Sequence, residues 1–167
     1  MAKPCPAAAR NRGISEAAGD LIAFLDVDDL WPDHNLLHLV TYLLENPAAD
    51  VVHGHAQVTR FTEGEELGEF IGNPKESYPY YIGAGVYHRR AFERVGMFDD
   101  ALRFSEDTDW FRRAKEVGLR VAQLDEVALF VRRHDANMTR GKTHVELNAL
   151  RLLKTSLDRK RAAADAG

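Results

Sequence analysis

The chain has 167 residues, 45% of them hydrophobic and 29% charged, which suits one globular domain that buries a core without covalent staples. With 22 basic and 26 acidic residues the formal net charge is −4, which argues against nucleic acid as the main partner because a phosphate backbone demands a basic surface. The single Cys5 excludes an internal disulfide and a cysteine-built zinc site and points to a reducing, cytoplasmic compartment. The N-terminal "MAKPCPAAARNRG" has no apolar stretch of the kind a signal peptide carries, and no segment approaches the ~20 apolar residues of a membrane span. Next, "PAAARNRGISEAAG" predicts a short helix closed near Gly19, and "DLIAFLDV" a buried strand. "DHNLLHLVTYLLENP" predicts a helix with Leu36, Leu39, Val40, Leu43 and Leu44 on one face, Asp33 as N-cap and Pro47 as stop. "DVVHGHAQVTRF" alternates as a strand does, whereas "TEGEELGEFIGNPKESYPYYIG" mixes Gly, Pro and charge and reads as a hairpin or long loop. "GVYHRRAFERVG" gives a short strand and a two-turn helix stopped by Gly96. "SEDTDWFRRAKEVG" gives a helix with Ser105 as N-cap, acids in its first turn and Gly118 at its end. One or two strands follow in "LRVAQLDEVALFVRRH", and "THVELNALRLLKTSLDRKR" closes the chain as an amphipathic helix. Strands and helices alternate, so the expected class is α/β with a mixed, mostly parallel sheet flanked by helices. The main domain is expected over 1–141, with residues 142–167 as a C-terminal amphipathic helix and tail.

The sharpest chemical signal is "LIAFLDVDDLWPD", Leu21 to Asp33: an apolar run that empties into Asp26, Asp28 and Asp29. Side chains at i and i+2 of a strand point the same way, so Asp26 and Asp28 share a side at the carboxyl end of the strand. Open α/β sheets place ligands at that edge. Two carboxylates there suit a hard divalent cation such as Mg²⁺ or Mn²⁺ that keeps positions open for phosphate oxygens. The bland alternative is that Asp28 or Asp29 caps or solvates the turn.

The run "ARNRGISEAAGDLIAFLDVDDLWPD" closely resembles the middle of family 2 glycosyltransferases, whose "ARN.G...A.G..I.FLD.DD...P" pattern leads into a metal-binding D-x-D. "VYHRRAFERVGMFDDALRFSEDTDWFRRAKEVG" resembles that family's acceptor-side segment, with "R...F..VG.FD" and "ED.D...R....G", and "FVRRHDANMT" its later "R.H..N.S". Three segments in the right order cover most of Ala7 to Thr139. The resemblance implies a GT-A fold, a nucleotide-diphosphate sugar donor, a sugar or lipid-linked acceptor, and Mn²⁺ or Mg²⁺. It makes Asp28 the direct metal ligand, Asp26 a support for the metal or the ribose, and Asp29 a weaker third candidate. His134 becomes the candidate for a further metal contact, with a surface histidine as its alternative. Arg10 and Asn11 fall near the nucleotide, or else serve helix packing and capping. Asp107, with Glu106 beside it, matches the catalytic base of inverting members, and a first-turn acid complementing the helix dipole is its compatible second role. Trp110 and Phe111 read as core, with Trp110 open to stacking on an acceptor sugar. The tyrosines of "NPKESYPYYIGAG" are expected beside the acceptor. His53 and His55 read as structural.

Family members begin with a strand of the "VSVIIP.YN" kind and a second ending in "VDDGS", and this sequence opens at the helix just before the D-x-D strand. The expectation is therefore a glycosyltransferase-like domain lacking the N-terminal nucleotide-binding strands. Its alternative is an inactive or partner-dependent module that binds or regulates. "LIAFL" would then keep an open edge, and a homo-oligomer is expected with the Leu21–Asp26 edge or the C-terminal helix at the interface. Leu150, Leu153 and Leu157 are expected on that helix's apolar face, covering the edge in cis or on a partner.

Overall fold

A computed structural model describes residues 5–60, 68–102, 104–133 and 149–165. In chain order the elements are α1 (Pro6–Glu16), β1 (Leu21–Ala23), α2 (Asn35–Glu45), β2 (Val51–Arg60), β3 (Glu69–Ile71), β4 (Gly85–His88), α3 (Arg89–Val95), α4 (Glu106–Glu116), β5 (Val121–Arg133) and α5 (Ala149–Asp165). Single 3-10 turns occupy Pro74–Glu76 and Ile82–Ala84.

All five strands form one sheet centred on β2. β5 runs parallel along one edge of β2, while the other edge is shared antiparallel by β4, at Val51–His53, and β3, at Val58–Arg60. β1 pairs antiparallel with β4, Leu21 opposite His88 and Ala23 opposite Val86. The sheet is mixed and helix-flanked as the sequence predicts, but three of its four strand pairings are antiparallel and β2–β5 alone is parallel, where a mostly parallel sheet was expected. The reason lies in the connections. β3 returns onto β2 as a hairpin, and β4 arrives through a loop rather than a crossover helix, so neither is turned parallel to β2.

Alternation along β2 divides the core. Val51 faces an aromatic cluster of Tyr87, Phe92, Phe98, Trp110 and Phe111, against which α1 lays Ala7 and Ile14. Val52 and Ala56 face the other side, with Leu39 and Leu43 of α2 and Leu129 and Val131 of β5. Gly54 permits the closest approach: a Cβ there would lie 2.4 Å from the Ala128 Cβ and 2.8 Å from the Glu126 carbonyl. The β2–β5 register slips on both sides of His55, opposite Gln123–Leu129, which is a β-bulge.

Several local expectations change. β1 is three residues rather than the full apolar run, its pairing with β4 ending at Ala23 opposite Val86. Phe24 then turns into the aromatic core, 5.8–6.0 Å from the rings of Tyr87, Phe92 and Phe98, and Val27 is fully exposed. The N-cap of α2 is His34, in a left-handed conformation, rather than Asp33. The buried stripe of α2 is narrower than predicted, since Leu36 and Leu44 are exposed. Ser105 does sit at the N-cap of α4, but with positive φ and no side-chain cap. α5 packs on α4 through Leu152, with Ser156 and Arg159 bonded to Glu116; Leu150, Leu153 and Leu157 point outward. It covers α4 in cis, not the β1 edge. His134 lies outside the described residues.

Candidate active site

Three elements converge where β1 ends. The chain leaves the sheet through Asp26, Asp28 and Asp29. A backbone bridge between Leu30 and Phe130 then fastens this turn to the C-terminal half of β5. There Arg132 donates its backbone N–H to Asp29 Oδ1 at 3.1 Å and its Nε–H to the Asp28 carbonyl at 2.5 Å. Burial, with Asp28 and Asp26 close by, pushes the Asp29 carboxyl up to about 7 against the lowering effect of the Arg132 N–H.

On the far side, α4 begins with Glu106 and Asp107. Glu106 is buried, and its Oε1 accepts from Arg10 Nη1 at 2.5 Å. Arg10 Nη2 meanwhile donates to both oxygens of Asp26, at 2.8 and 2.9 Å. One guanidinium of α1 therefore joins the acidic turn to the head of α4. Its neighbour Asn11 clasps the backbone of Phe98, accepting from the N–H and donating to the carbonyl, both at 2.9 Å. That is the packing role, since both ends of the amide are engaged.

Burial raises the Asp107 carboxyl to about 6, with Glu106 adding to the rise and the Thr108 N–H and Arg10 opposing it. A carboxylate poised there is ionised at neutral pH yet a better proton acceptor than a free aspartate. Tyr78 donates its hydroxyl toward Asp107 Oδ1 at 3.4 Å and touches the Thr108 hydroxyl. Burial and Asp107 hold Tyr78 well above the usual phenol range, so it stays a donor. Tyr80 and Tyr81 pack edge-on to Tyr78, at 5.5 and 5.3 Å between centroids, and Tyr80 stacks on Phe111. The "SYPYY" stretch thus lies against the carboxylate. Trp110 does not face it: the ring is fully buried, with its N–H on the Gly96 carbonyl at 3.0 Å, and Phe111 is core as well. His53 is buried against Phe111 and Tyr87, and burial lowers it to about 4, while His55 pairs with Asp125; both are structural.

Among the described residues no group of three or more His, Cys, Asp or Glu surrounds a common point. The donor set at the turn still fits a hard cation that takes one or two carboxylates and leaves its other positions to phosphate oxygens. Two features escaped sequence reasoning. The Arg10 bridge joins residues up to 96 positions apart. Arg132 carried a weak signal, since adjacent arginines at a strand end direct one side chain to each face.

Comparison with known proteins places these residues in context. The sequence profile described as Glycosyl transferase family 2 matches residues 5–103. The chain is 26% identical over 121 residues to the minor teichoic acid biosynthesis protein GgaA of Bacillus subtilis, covering 65% of this chain and 27% of that protein. It is 29% identical over 145 residues to the uncharacterized glycosyltransferase EpsJ of the same organism, covering 77% and 42%. The structure of S. aureus TarS 1-349 in complex with UDP superposes with a TM-score of 0.62 at 16% identity, over 91% of this chain and 45% of that one. The chain therefore spans less than half the length of these relatives.

Proposed function

This chain belongs to glycosyl transferase family 2 and has the family's GT-A fold, and from that premise we propose that it transfers a sugar from a nucleotide-diphosphate sugar to an acceptor hydroxyl with inversion. The observation that carries the proposal is the meeting of the Asp26–Asp29 turn with Asp107 across the Arg10 bridge. In this reading the acceptor hydroxyl gives its proton to Asp107 as its oxygen bonds to the anomeric carbon, and the bond from that carbon to the diphosphate breaks. Tyr78 orients the carboxylate, and the tyrosines around it offer faces to a saccharide or lipid-linked acceptor. Asp28, with Asp26 and Asp29 beside it and His134 as a further candidate, would hold Mn²⁺ or Mg²⁺. Such an ion supplies charge stabilisation to the departing nucleoside diphosphate. Asn11 and Arg10 support this side indirectly, by fixing α1 on the Phe98 backbone and by holding Asp26.

Among the described residues no helix is long and apolar enough to cross a membrane. We propose a cytoplasmic location because it suits a nucleotide-sugar donor and the single unpaired Cys5. We further propose a homo-oligomer through β1. Asp20 accepts from the Arg89 N–H, so alternation turns Ile22 toward β4 and leaves Leu21 and Ala23 to offer N–H and C=O groups outward. A groove of about 540 Å³ between that edge and α1 lies alongside. Ala23→Lys should convert the oligomer to an 18.8 kDa monomer in light scattering; a wild type already monomeric at micromolar concentration removes this part.

The alternative is an inactive or partner-dependent module that binds the donor without turnover. UDP with Mn²⁺ should raise the melting temperature of the wild type and fail to do so in Asp28→Ala. Equal stabilisation of both proteins defeats the metal assignment. Donor binding without release of nucleoside diphosphate selects the alternative.

A further inference from the structure

Arg10 is placed unlike an ordinary helix-surface arginine. Its side chain is 12% exposed, on a helix held to the core by Ala7 and Ile14 and to the Phe98 backbone by Asn11. The guanidinium is a planar fork with donors on separate edges, and here two edges serve two elements. Nη2 takes both oxygens of Asp26, and Nη1 takes Glu106. The donors that face the site end on carboxylates, so the residue acts through them rather than on a phosphate.

We infer that Arg10 is a positioning residue that holds the acidic turn and the head of α4 at fixed separation and offsets the charge of Asp26 and of Glu106, the neighbour of Asp107. The inference rests on the reading of Asp107 as the base. Three carboxylates of the turn and two of α4 share one edge of the sheet, and without a central cation they repel. Lysine cannot replace arginine here, because a point charge on a flexible stem reaches one carboxylate and not both. Among the described residues the polar groups beside Asp107 are Glu106, Thr108, Tyr78, Tyr81 and Tyr87, and the attraction of Arg10 opposes the repulsion of Glu106.

The test reads Asp107 directly, without turnover. Carboxyl-carbon NMR titrations of the full chain are compared for wild type, Arg10→Gln and Arg10→Lys, with Asp107→Asn to assign the signal and Asp50→Asn as a control that breaks a distant buried ion pair. The Asp107 midpoint is expected to rise from about 6 towards ~7 in Arg10→Gln, to lie between in Arg10→Lys, and to stay in place in Asp50→Asn. An unmoved midpoint in folded Arg10→Gln overturns the inference, as does full restoration by lysine. If the glutamine variant does not fold, the lysine variant decides alone: a rise supports the role and no change overturns it. Where transfer is measurable, Arg10→Lys should lower kcat with little change in donor KM. Absence of transfer in the wild type would defeat the Asp107 reading but leave the midpoint result to stand on its own.

Discussion

Asp50 is the most consequential buried charge outside the site, and its removal tests the fold without touching the chemistry. The residue is 4% exposed and immediately precedes β2. Its carboxylate accepts from Arg90 Nε at 3.0 Å, from Arg94 Nη1 at 2.8 Å and from the Arg120 N–H at 3.0 Å, so it joins β2, α3 and the approach to β5. A hydrogen bond to a charged group contributes about 1.5–3 kcal/mol when desolvated. The arginine side chains are 42% and 45% exposed, however, and recover water when the partner goes, so their share is discounted. The Arg120 N–H bond is part-buried against the Asp50 carboxylate, and losing it costs about 1–3 kcal/mol. Asp50→Ala is therefore expected to lose about 2–4 kcal/mol, or roughly 5–12 °C in Tm for a chain of this size. These contacts hold the Asp50 carboxyl below the usual range. A depressed carboxyl stabilises the fold above its unfolded pKa and stops doing so as pH falls through its folded value. The deficit should thus be complete at pH 7 and shrink below about pH 4. Urea denaturation at both pH values measures it. A loss under about 0.5 kcal/mol at pH 7, or one that does not change on acidification, refutes the reasoning.

Gly54→Ala should destabilise by about 1–3 kcal/mol or more, because its methyl group would meet Ala128 and the Glu126 carbonyl with no side-chain end to yield; calorimetry measures this. Asp107→Asn should cut any transfer by about 10²–10⁴-fold, and the rate of the wild type should fall as pH drops through about 6. The same variant should melt higher than wild type at pH 7 but not at pH 4, since a raised carboxyl gives its stability below the unfolded pKa and loses it as pH rises through the folded one. In α5, Leu152→Ala should cost about 2–4 kcal/mol while Leu153→Ala stays within about 0.5, which checks the phase of that helix by denaturation.

The elements that could be read from the sequence were those with local causes. Gly96 and Gly118 end α3 and α4 with positive φ, and the alternation of β2 marks its strand. The acidic turn was legible as chemistry because three clustered carboxylates repel unless a cation or donors sit among them, whereas the "ED" pair stood out only through the family resemblance, since acids are favoured at any helix start. Strand direction was not legible, since it depends on whether β4 returns by a helix or a loop, and both suit the same alternation. α5 shows the limit of periodicity. Leu150, Leu153 and Leu157 form one apolar stripe and Leu152 with Ser156 another; the second is chosen because Glu116 of α4 accepts from Ser156 and Arg159. Arg10 shows the limit of motif reading. The "ARN" run announced a residue near the nucleotide, but which carboxylates it holds follows only from the packing of α1 against Phe98.

The central claim is that the acidic turn and Asp107 together serve glycosyl transfer from a nucleotide-diphosphate sugar. The most direct measurement is release of nucleoside diphosphate from a panel of nucleotide sugars by the full chain, with Mn²⁺ present or chelated, beside Asp107→Asn. The account predicts release from at least one donor, lost on chelation and nearly lost in Asp107→Asn. Release that Asp107→Asn matches, or folded protein that releases nothing from every donor, contradicts it.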